Sequence, residues 1–176
     1  MDKSEKRAEN AALKLVEILT KERYKLALAE SCTAGLAADV IARVSGASTA
    51  FWGSFVCYSP QAKGTMLGID SAFLEKYGLV SKETAGKMAL QALETAGVSV
   101  AAAVTGLAGP HGDGSAVPVG TVWVAAVRRG SEKHRELEKG LFFQGTRAEV
   151  RMQAAAAVLE TVLDLLSYKD NVYEVC

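Results

Sequence analysis

The sequence predicts a single three-layer α/β/α domain with a mixed, mainly parallel sheet, and three observations support this prediction. Its 176 residues are the size of one domain. Segments with helical spacing of apolar residues alternate with short apolar runs typical of strands. The last two strands flank a short Arg129-Gly130 connection, which favours an antiparallel hairpin. We assign residues 1–168 to this domain and residues 169–176 to a C-terminal tail without predicted structure.

The chain begins with a predicted α-β-α unit. Apolar residues spaced among Lys and Glu predict an amphipathic helix from about Lys3 to Lys21, which should cover the outside of a sheet. Lys25–Glu30 is then a short buried strand. A second helix begins near Thr33, continues to Val44 and ends at Ser45-Gly46.

The next segment predicts a strand followed by two short helices. Aromatic and β-branched residues become frequent over Phe51–Tyr58, as expected for a strand. Ser59 can cap a helix in which Pro60 takes the first position and which carries Lys63. A further short helix is expected over Ser71–Tyr77.

The middle of the chain contains the most apolar run. Ser81 is a plausible N-cap for a helix that ends at Gly97. Val98–Val104 is then expected to be a central strand buried on both faces. The stretch Thr105–Ser115 is so rich in glycine that it predicts a loop.

The last third predicts a hairpin and a helix. Val119–Val127 alternates as a strand, and Glu132–Phe143 reads as its partner across the Arg129-Gly130 turn. Thr146 can cap the last helix, whose apolar face runs from Val150 to Leu165.

Composition excludes several functional classes. Twenty Lys and Arg residues balance twenty Asp and Glu residues, so no net charge attracts a nucleic acid or a membrane surface. No apolar run approaches the ~20 residues of a membrane span, and the charged first ten residues lack a signal core. Three cysteines without metal or redox spacing fit a reducing compartment. We therefore expect a cytoplasmic protein that binds neither nucleic acid nor membrane.

Three strand ends deliver candidate functional groups. Ser31 follows the first strand, Tyr58 and Lys63 follow the second, and Thr105 with a glycine-rich loop follows the third. In open α/β sheets, ligands bind beyond the carboxyl ends of the strands. A parallel arrangement therefore predicts that these groups converge on one site.

Ser31 lies in the turn Ala29–Gly35 between a strand and a helix. Backbone N–H groups at a helix start can stabilise an oxyanion, although Ser31 or Thr33 can equally serve only as an N-cap. A serine nucleophile needs a base, and the two histidines lie in a charged run and on the glycine-rich loop. Lys63 can act as the base if burial keeps it neutral, and Tyr58 can pass a proton between the two or donate to the leaving group. A solvated lysine and a half-buried aromatic are the alternatives.

Other residues give weaker indications. Cys32 is a rival nucleophile without an obvious histidine partner, so we expect a small buried residue there. The loop Gly106–Gly114 can bring N–H groups to a phosphate or ribose, or be a mobile surface loop. Arg147 and Arg151, one helical turn apart, can hold a phosphate or lie exposed. No spacing suggests a metal site, and no cofactor is expected.

Several separated motifs resemble, in order and spacing, those of the CinA C-terminal domain family of nicotinamide-nucleotide amidohydrolases. The motifs are Ala29–Gly35, Tyr58–Lys63, Val104–Pro110, Pro118–Val122 and Phe143–Arg151. The resemblance runs from about residue 8 to residue 166. The chain is similar to a stand-alone version that lacks the larger molybdopterin-binding-like domain of full-length CinA proteins.

The resemblance implies hydrolysis of the carboxamide of nicotinamide mononucleotide (NMN) to nicotinate mononucleotide and ammonia, in pyridine-nucleotide recycling. It implies Ser31 as the nucleophile, Lys63 and Tyr58 as its activating partners, and Thr105 as a further active-site hydroxyl. Arg147 is our choice for the substrate phosphate. A homo-oligomer is also implied. The remaining predicted substrate-binding residues are Cys32, Thr33, Gly106 and Gly109.

The sequence departs from the family pattern at Ala34, where glycine is more frequent, at Pro60, where asparagine is usual, and at Val117, near a frequent lysine. None of these departures removes a proposed catalytic group. Two rival functions stay open. One is a catalytically silent CinA-like domain that binds a nucleotide or protein in competence or DNA-damage responses. The other is a serine amidase for a different small amide.

Overall fold

The computed structural model describes residues 3–167 and confirms the predicted α/β/α architecture. The helices are α1 (Lys3–Glu22), α2 (Leu36–Ala42), α3 (Pro60–Leu67), α4 (Ser71–Tyr77), α5 (Lys82–Ala96) and α6 (Arg147–Ser167). The strands are β1 (Leu26–Glu30), β2 (Phe51–Val56), β3 (Val100–Gly106), β4 (Thr121–Arg128) and β5 (Arg135–Phe142). A short 3₁₀ helix, which the sequence did not predict, spans Ala47–Thr49.

The five strands form one mixed sheet in the order β2-β1-β3-β4-β5. Strand β1 pairs in parallel with both β2 and β3, whereas β4 is antiparallel to β3 and β5. The predicted terminal hairpin is therefore confirmed. Because β1 lies between β2 and β3, the carboxyl ends of these three strands are neighbours at one edge of the sheet.

Two hydrophobic clusters hold helices against the two faces of the sheet. Alternate residues of β1 and β3 point to opposite faces, as the period of two requires. Leu26, Leu28 and Val100 pack with α1, α2 and α6, while Ala27 and Ala101 pack with α5 on the other face. All of these side chains are fully buried. The short alanine side chains let α5 approach the sheet closely.

The predicted helix caps are confirmed where the sequence marked them. The Ser59 hydroxyl accepts from the Ala62 N–H at the start of α3, with Pro60 in the first turn. The Ser81 hydroxyl accepts from the Thr84 N–H at the start of α5, which ends at Gly97 in the left-handed conformation. These caps fix where α3 and α5 begin.

Several predicted boundaries were wrong. Strand β2 ends at Val56, so Tyr58 lies in the connection to α3 rather than in the strand. The predicted loop at Thr105 begins later, because Thr105 and Gly106 still pair with Trp123 and Val122 of β4. Helix α2 ends at Ala42, β3 begins only at Val100, and β4 and β5 begin at Thr121 and Arg135.

The domain boundary after residue 168 and the tail of residues 169–176 lie outside the described residues. Between residues 3 and 167, no helix has the length and apolar character needed to cross a membrane.

Candidate active site

A buried glutamate caps the helix that follows the Ser31 turn. Glu30 is fully buried, and its carboxylate accepts from the Ser54 hydroxyl at 2.9 Å. It also accepts, at 3.0–3.1 Å, from the backbone N–H groups of Gly35, Ala37 and Ala38. The alternative in which Ser31 or Thr33 serves as the cap of α2 was wrong, because the Glu30 carboxylate from the preceding strand accepts from these N–H groups instead. These helix N–H groups are therefore occupied.

The turn itself leaves two other N–H groups available. The Ser31 N–H donates to the Val104 carbonyl at 3.0 Å, and the Ala34 N–H donates back to the Ser31 carbonyl at 3.1 Å. Within residues 3–167, the N–H groups of Cys32 and Thr33 donate to no other residue. An oxyanion beside Ser31 would therefore meet donors of the turn, not of α2.

Ala34 adopts a backbone conformation that favours glycine, with φ of 52°. A left-handed conformation costs a residue with a Cβ about 1–2 kcal/mol. The neighbouring Gly35, with φ of 92°, has no such penalty. The departure from glycine at position 34 therefore leaves the turn in place at a modest cost in stability.

Ser31 and Lys63 are in direct contact. The Lys63 Nζ donates to Ser31 Oγ at 3.0 Å and to the Cys57 carbonyl at 2.9 Å. Lys63 is only 1% exposed, and burial lowers the pKa of its amine. A neutral amine at this position can accept the hydroxyl proton of Ser31 while it still donates to the Cys57 carbonyl.

Cys32 lines the same cavity but is poorly suited to be a nucleophile. The residue is 7% exposed, and burial raises the pKa of its thiol to about 12. The thiolate, not the thiol, is the reactive form. The geometry therefore favours the hydroxyl of Ser31 over the thiol next to it.

Arg147, at the start of α6, joins two of the loops around the site. Its Nη2 donates to the Tyr58 hydroxyl at 2.6 Å, and its Nη1 donates to the Gly109 carbonyl at 2.5 Å. Tyr58 is 54% exposed, and its hydroxyl is bound to Arg147 rather than to Lys63 or Ser31. Lys63 therefore needs no relay through Tyr58 to reach the Ser31 hydroxyl.

The end of β3 contributes a hydroxyl and two glycines. Thr105 is 1% exposed and donates to the Leu79 carbonyl at 2.8 Å, which ties β3 to the loop after α4. A Cβ at Gly106 would lie 2.8 Å from the Thr121 carbonyl oxygen, and one at Gly109 would lie 2.7 Å from the Val119 side chain. Both glycines thus allow the close approach of β4 and its preceding loop.

These residues surround a cavity of about 220 Å³ at the carboxyl ends of the parallel strands. Its lining includes the predicted residues Ser31, Cys32, Tyr58, Lys63, Thr105, Gly106, Gly109 and Arg147. Thr33 is absent from the lining. It is fully buried, and its hydroxyl has no partner among the described residues.

The cavity also includes His111 and Asp113, which are not among the predicted site residues. Glu30 was missed as well, although an acidic residue that ends a buried apolar run and precedes a helix is a usable signal for a cap. In the described part of the chain, no three His, Cys, Asp or Glu residues cluster as metal ligands.

The fold and the site define a class: an α/β/α domain with a hydroxyl and a buried amine paired at the ligand-binding edge of a mixed sheet. A sequence model of the CinA C-terminal domain matches residues 8–166. The chain therefore belongs to the CinA C-terminal domain family.

Individual relatives agree with this assignment. The chain is 40% identical over 160 residues to the nicotinamide-nucleotide amidohydrolase PncC of Enterobacter agglomerans, covering 91% of this chain and 96% of that protein. It is 41% identical to a CinA-like protein of Akkermansia muciniphila, but spans only 34% of that longer protein. The crystal structure of the competence/damage inducible protein CihA from Agrobacterium tumefaciens superposes with a TM-score of 0.85 at 33% identity. That match covers 91% of this chain and 96% of the other.

Proposed function

We propose that this protein is a serine amidohydrolase that converts NMN to nicotinate mononucleotide and ammonia. The observation that carries the proposal is the 3.0 Å contact between Ser31 Oγ and the buried amine of Lys63. The 40% identity to a nicotinamide-nucleotide amidohydrolase along nearly its whole length supports the amidohydrolase class and the substrate.

The first half-reaction acylates Ser31. The Oγ attacks the carboxamide carbon while its proton moves to neutral Lys63, which forms a tetrahedral intermediate. Lys63 then returns the proton to the amide nitrogen, the C–N bond breaks, and ammonia leaves. In the second half-reaction, water attacks the ester and gives a proton to Lys63, and Ser31 Oγ leaves as a hydroxyl. The nicotinate carboxylate is then released.

The N–H group of Cys32, which lines the cavity, is the proposed oxyanion donor. Cys32 directly follows Ser31 in the chain, and its N–H donates to no other residue within residues 3–167. Removal of one such donor typically costs a factor of about 10²–10³ in kcat. Fixed donors need no rearrangement when charge develops on the carbonyl oxygen.

The substrate phosphate is assigned to Arg147. The cavity of about 220 Å³ is smaller than the roughly 300–1,000 Å³ of a typical ligand pocket. We therefore place the carboxamide and the pyridine ring inside it and the ribose phosphate at its mouth. Arg147 is exposed there, and within residues 3–167 two of its five N–H donors bind protein atoms. The exposed Tyr58 lies at the mouth of the cavity, and the buried Thr105 forms part of its wall.

The test is ammonia release by the purified protein from three substrates: NMN, nicotinamide riboside and nicotinamide. We expect NMN to be the best substrate, Ser31→Ala to be inactive and Cys32→Ala to stay active. Arg147→Ala should raise KM for NMN and leave the phosphate-free riboside unchanged. If Arg147→Ala does not change KM for NMN, the natural substrate is a small amide other than NMN. A folded wild type without activity would favour a CinA-like binding domain.

We also propose that the protein is a homo-oligomer in the cytoplasm. The two edge strands of the sheet suggest which one contacts a second copy of the chain. Strand β2 carries no charged residue and exposes Trp52, which stacks on Phe55 with ring centroids 5.2 Å apart. The opposite edge, β5, carries charged residues, which discourage edge-to-edge pairing. We expect Trp52→Lys to lower the mass measured by light scattering. Phe142→Lys, on the charged edge, is the control that should not.

A further inference from the structure

The two arginines of α6 serve different parts of the molecule. Arg147 lines the cavity, whereas Arg151, one helical turn later, does not. The half-buried Arg151 reaches the turn after β1 instead: its Nε donates to the Cys32 carbonyl at 3.1 Å, and its Nη2 donates to the Thr33 carbonyl at 2.6 Å. The expectation that both arginines share one phosphate does not fit this arrangement.

These two carbonyls control the direction of the N–H groups in the turn that follows Ser31. In a trans peptide, the C=O and N–H groups point in opposite directions. When Arg151 holds the Cys32 carbonyl, the Thr33 N–H of the same peptide must point away from the guanidinium. The orientation of this donor therefore depends on a side chain that lies outside the cavity.

The second contact acts on the N–H group of Cys32 through one more peptide. Arg151 holds the Thr33 carbonyl, which sets the plane of the Thr33-Ala34 peptide. The Ala34 N–H of that peptide donates to the Ser31 carbonyl at 3.1 Å, which sets the Ser31-Cys32 peptide. The direction of the Cys32 N–H follows. The proposed oxyanion donor is thus connected to the Arg151 guanidinium.

Charge adds to this geometric effect. Hydrogen bonds from an ionised donor are stronger than neutral ones, and a carbonyl polarised in this way makes the N–H of its peptide a better donor. The turn is held on its other side by Glu30, which accepts from N–H groups from Gly35 onwards and not from the N–H groups of Cys32 and Thr33. Glu30 therefore fixes where α2 begins, and Arg151 fixes the peptides before it.

We propose that Arg151 is a positioning residue that orients and polarises the peptides of the turn after Ser31, and through them the oxyanion-binding N–H group of Cys32. The proposal rests on the proposed acylation of Ser31. It predicts that Arg151 supports the transition state without touching the substrate. Loss of Arg151 should therefore lower kcat and leave KM nearly unchanged.

The experiment compares Arg151→Ala and Arg151→Lys with Arg147→Ala, in ammonia release from NMN. We expect kcat of Arg151→Ala to fall about 100-fold, the usual effect of one lost oxyanion donor, with KM changed less than threefold. Arg151→Lys keeps the charge but cannot bind both carbonyls in a fork, so its kcat should fall at least tenfold. Added guanidinium should partly restore kcat of Arg151→Ala. Arg147→Ala should instead raise KM.

Three results would overturn the proposal: an unchanged kcat, a rise in KM alone, or a failure of both Arg151 variants to fold. Labelling of Ser31 by a fluorophosphonate separates this proposal from the choice of substrate, since the tetrahedral adduct needs the same donor. If the wild type is labelled but releases no ammonia from NMN, the assignment of NMN as substrate fails. The proposal for Arg151 then still requires that Arg151→Lys is labelled at least tenfold more slowly than the wild type. If Ser31→Ala is labelled as fast as the wild type, Ser31 is not the nucleophile and both proposals fail.

Discussion

Replacement of Lys63 by methionine should separate catalysis from stability. Lys63→Met keeps the length and packing of the side chain but removes the Nζ that contacts Ser31 Oγ and the Cys57 carbonyl. Both partners are uncharged, and no ion pair includes Lys63 in the described residues. The amine is therefore buried without a counter-ion, an arrangement that is costly for the folded state.

The expected magnitudes follow from these contacts. A positioned general base accelerates a reaction about 10²–10⁴-fold. We therefore expect kcat/KM to fall by up to about 10⁴-fold, which corresponds to a loss of about 5.5 kcal/mol of transition-state stabilisation. Stability changes less, because two effects oppose each other. The Cys57 carbonyl loses its buried hydrogen-bond partner, which costs about 1–3 kcal/mol. The desolvation cost of the buried Lys63 amine is removed at the same time. The free energy of unfolding should change by less than about 2 kcal/mol.

The assay is ammonia release across a pH series, with thermal unfolding of the same samples. Burial lowers the pKa of Lys63, and only its neutral form can accept a proton. Wild-type kcat/KM should therefore fall as the pH drops through that lowered pKa. Lys63→Arg is the matched control, because a guanidinium keeps the positive charge but stays protonated. If Lys63→Arg retains more than a tenth of the activity, Lys63 provides charge rather than a base and the reasoning is wrong.

Three further variants test the scaffold around the site by denaturant unfolding. Glu30→Gln should lower the free energy of unfolding by about 2–4 kcal/mol, because an amide cannot replace both oxygens of a carboxylate that accepts four hydrogen bonds. A variant as stable as the wild type would contradict the capping role of Glu30. Gly106→Ala should lower the free energy of unfolding by about 1–3 kcal/mol, because its Cβ would lie 2.8 Å from the Thr121 carbonyl oxygen. An unchanged stability would mean that β4 can move to accommodate the Cβ. Ser81→Ala should cost about 1 kcal/mol through its lost bond to the Thr84 N–H, with Ser81→Asp as the control that retains a cap.

Much of the fold could be predicted from local patterns. The periodicity of apolar residues and the capping signals at Ser59 and Ser81 act within a few residues, so the order of helices and strands followed from them. The convergence of Ser31 and Lys63 also followed, since parallel strands bring their carboxyl ends together. The shared cavity at these strand ends is the one that the sequence led us to expect.

The remaining details depend on contacts between distant segments. Thr105 belongs to β3 because it pairs with Trp123 of β4, and no local signal of the glycine-rich stretch indicates this pairing. The contact of Arg151 with the turn at Cys32 joins residues 119 positions apart. Similarly, the burial that keeps Lys63 from water comes from the packing of whole elements. Such features require the tertiary structure.

The most direct test of Ser31 as the nucleophile is rapid quenching of the reaction with NMN, followed by peptide mass spectrometry. We expect a transient ester of the nicotinate mononucleotide acyl group on the peptide that contains Ser31. The adduct should be on Ser31, persist in Cys32→Ala and be absent in Ser31→Ala. An adduct on Cys32, or steady turnover by Ser31→Ala, would contradict the claim that Ser31 is the nucleophile.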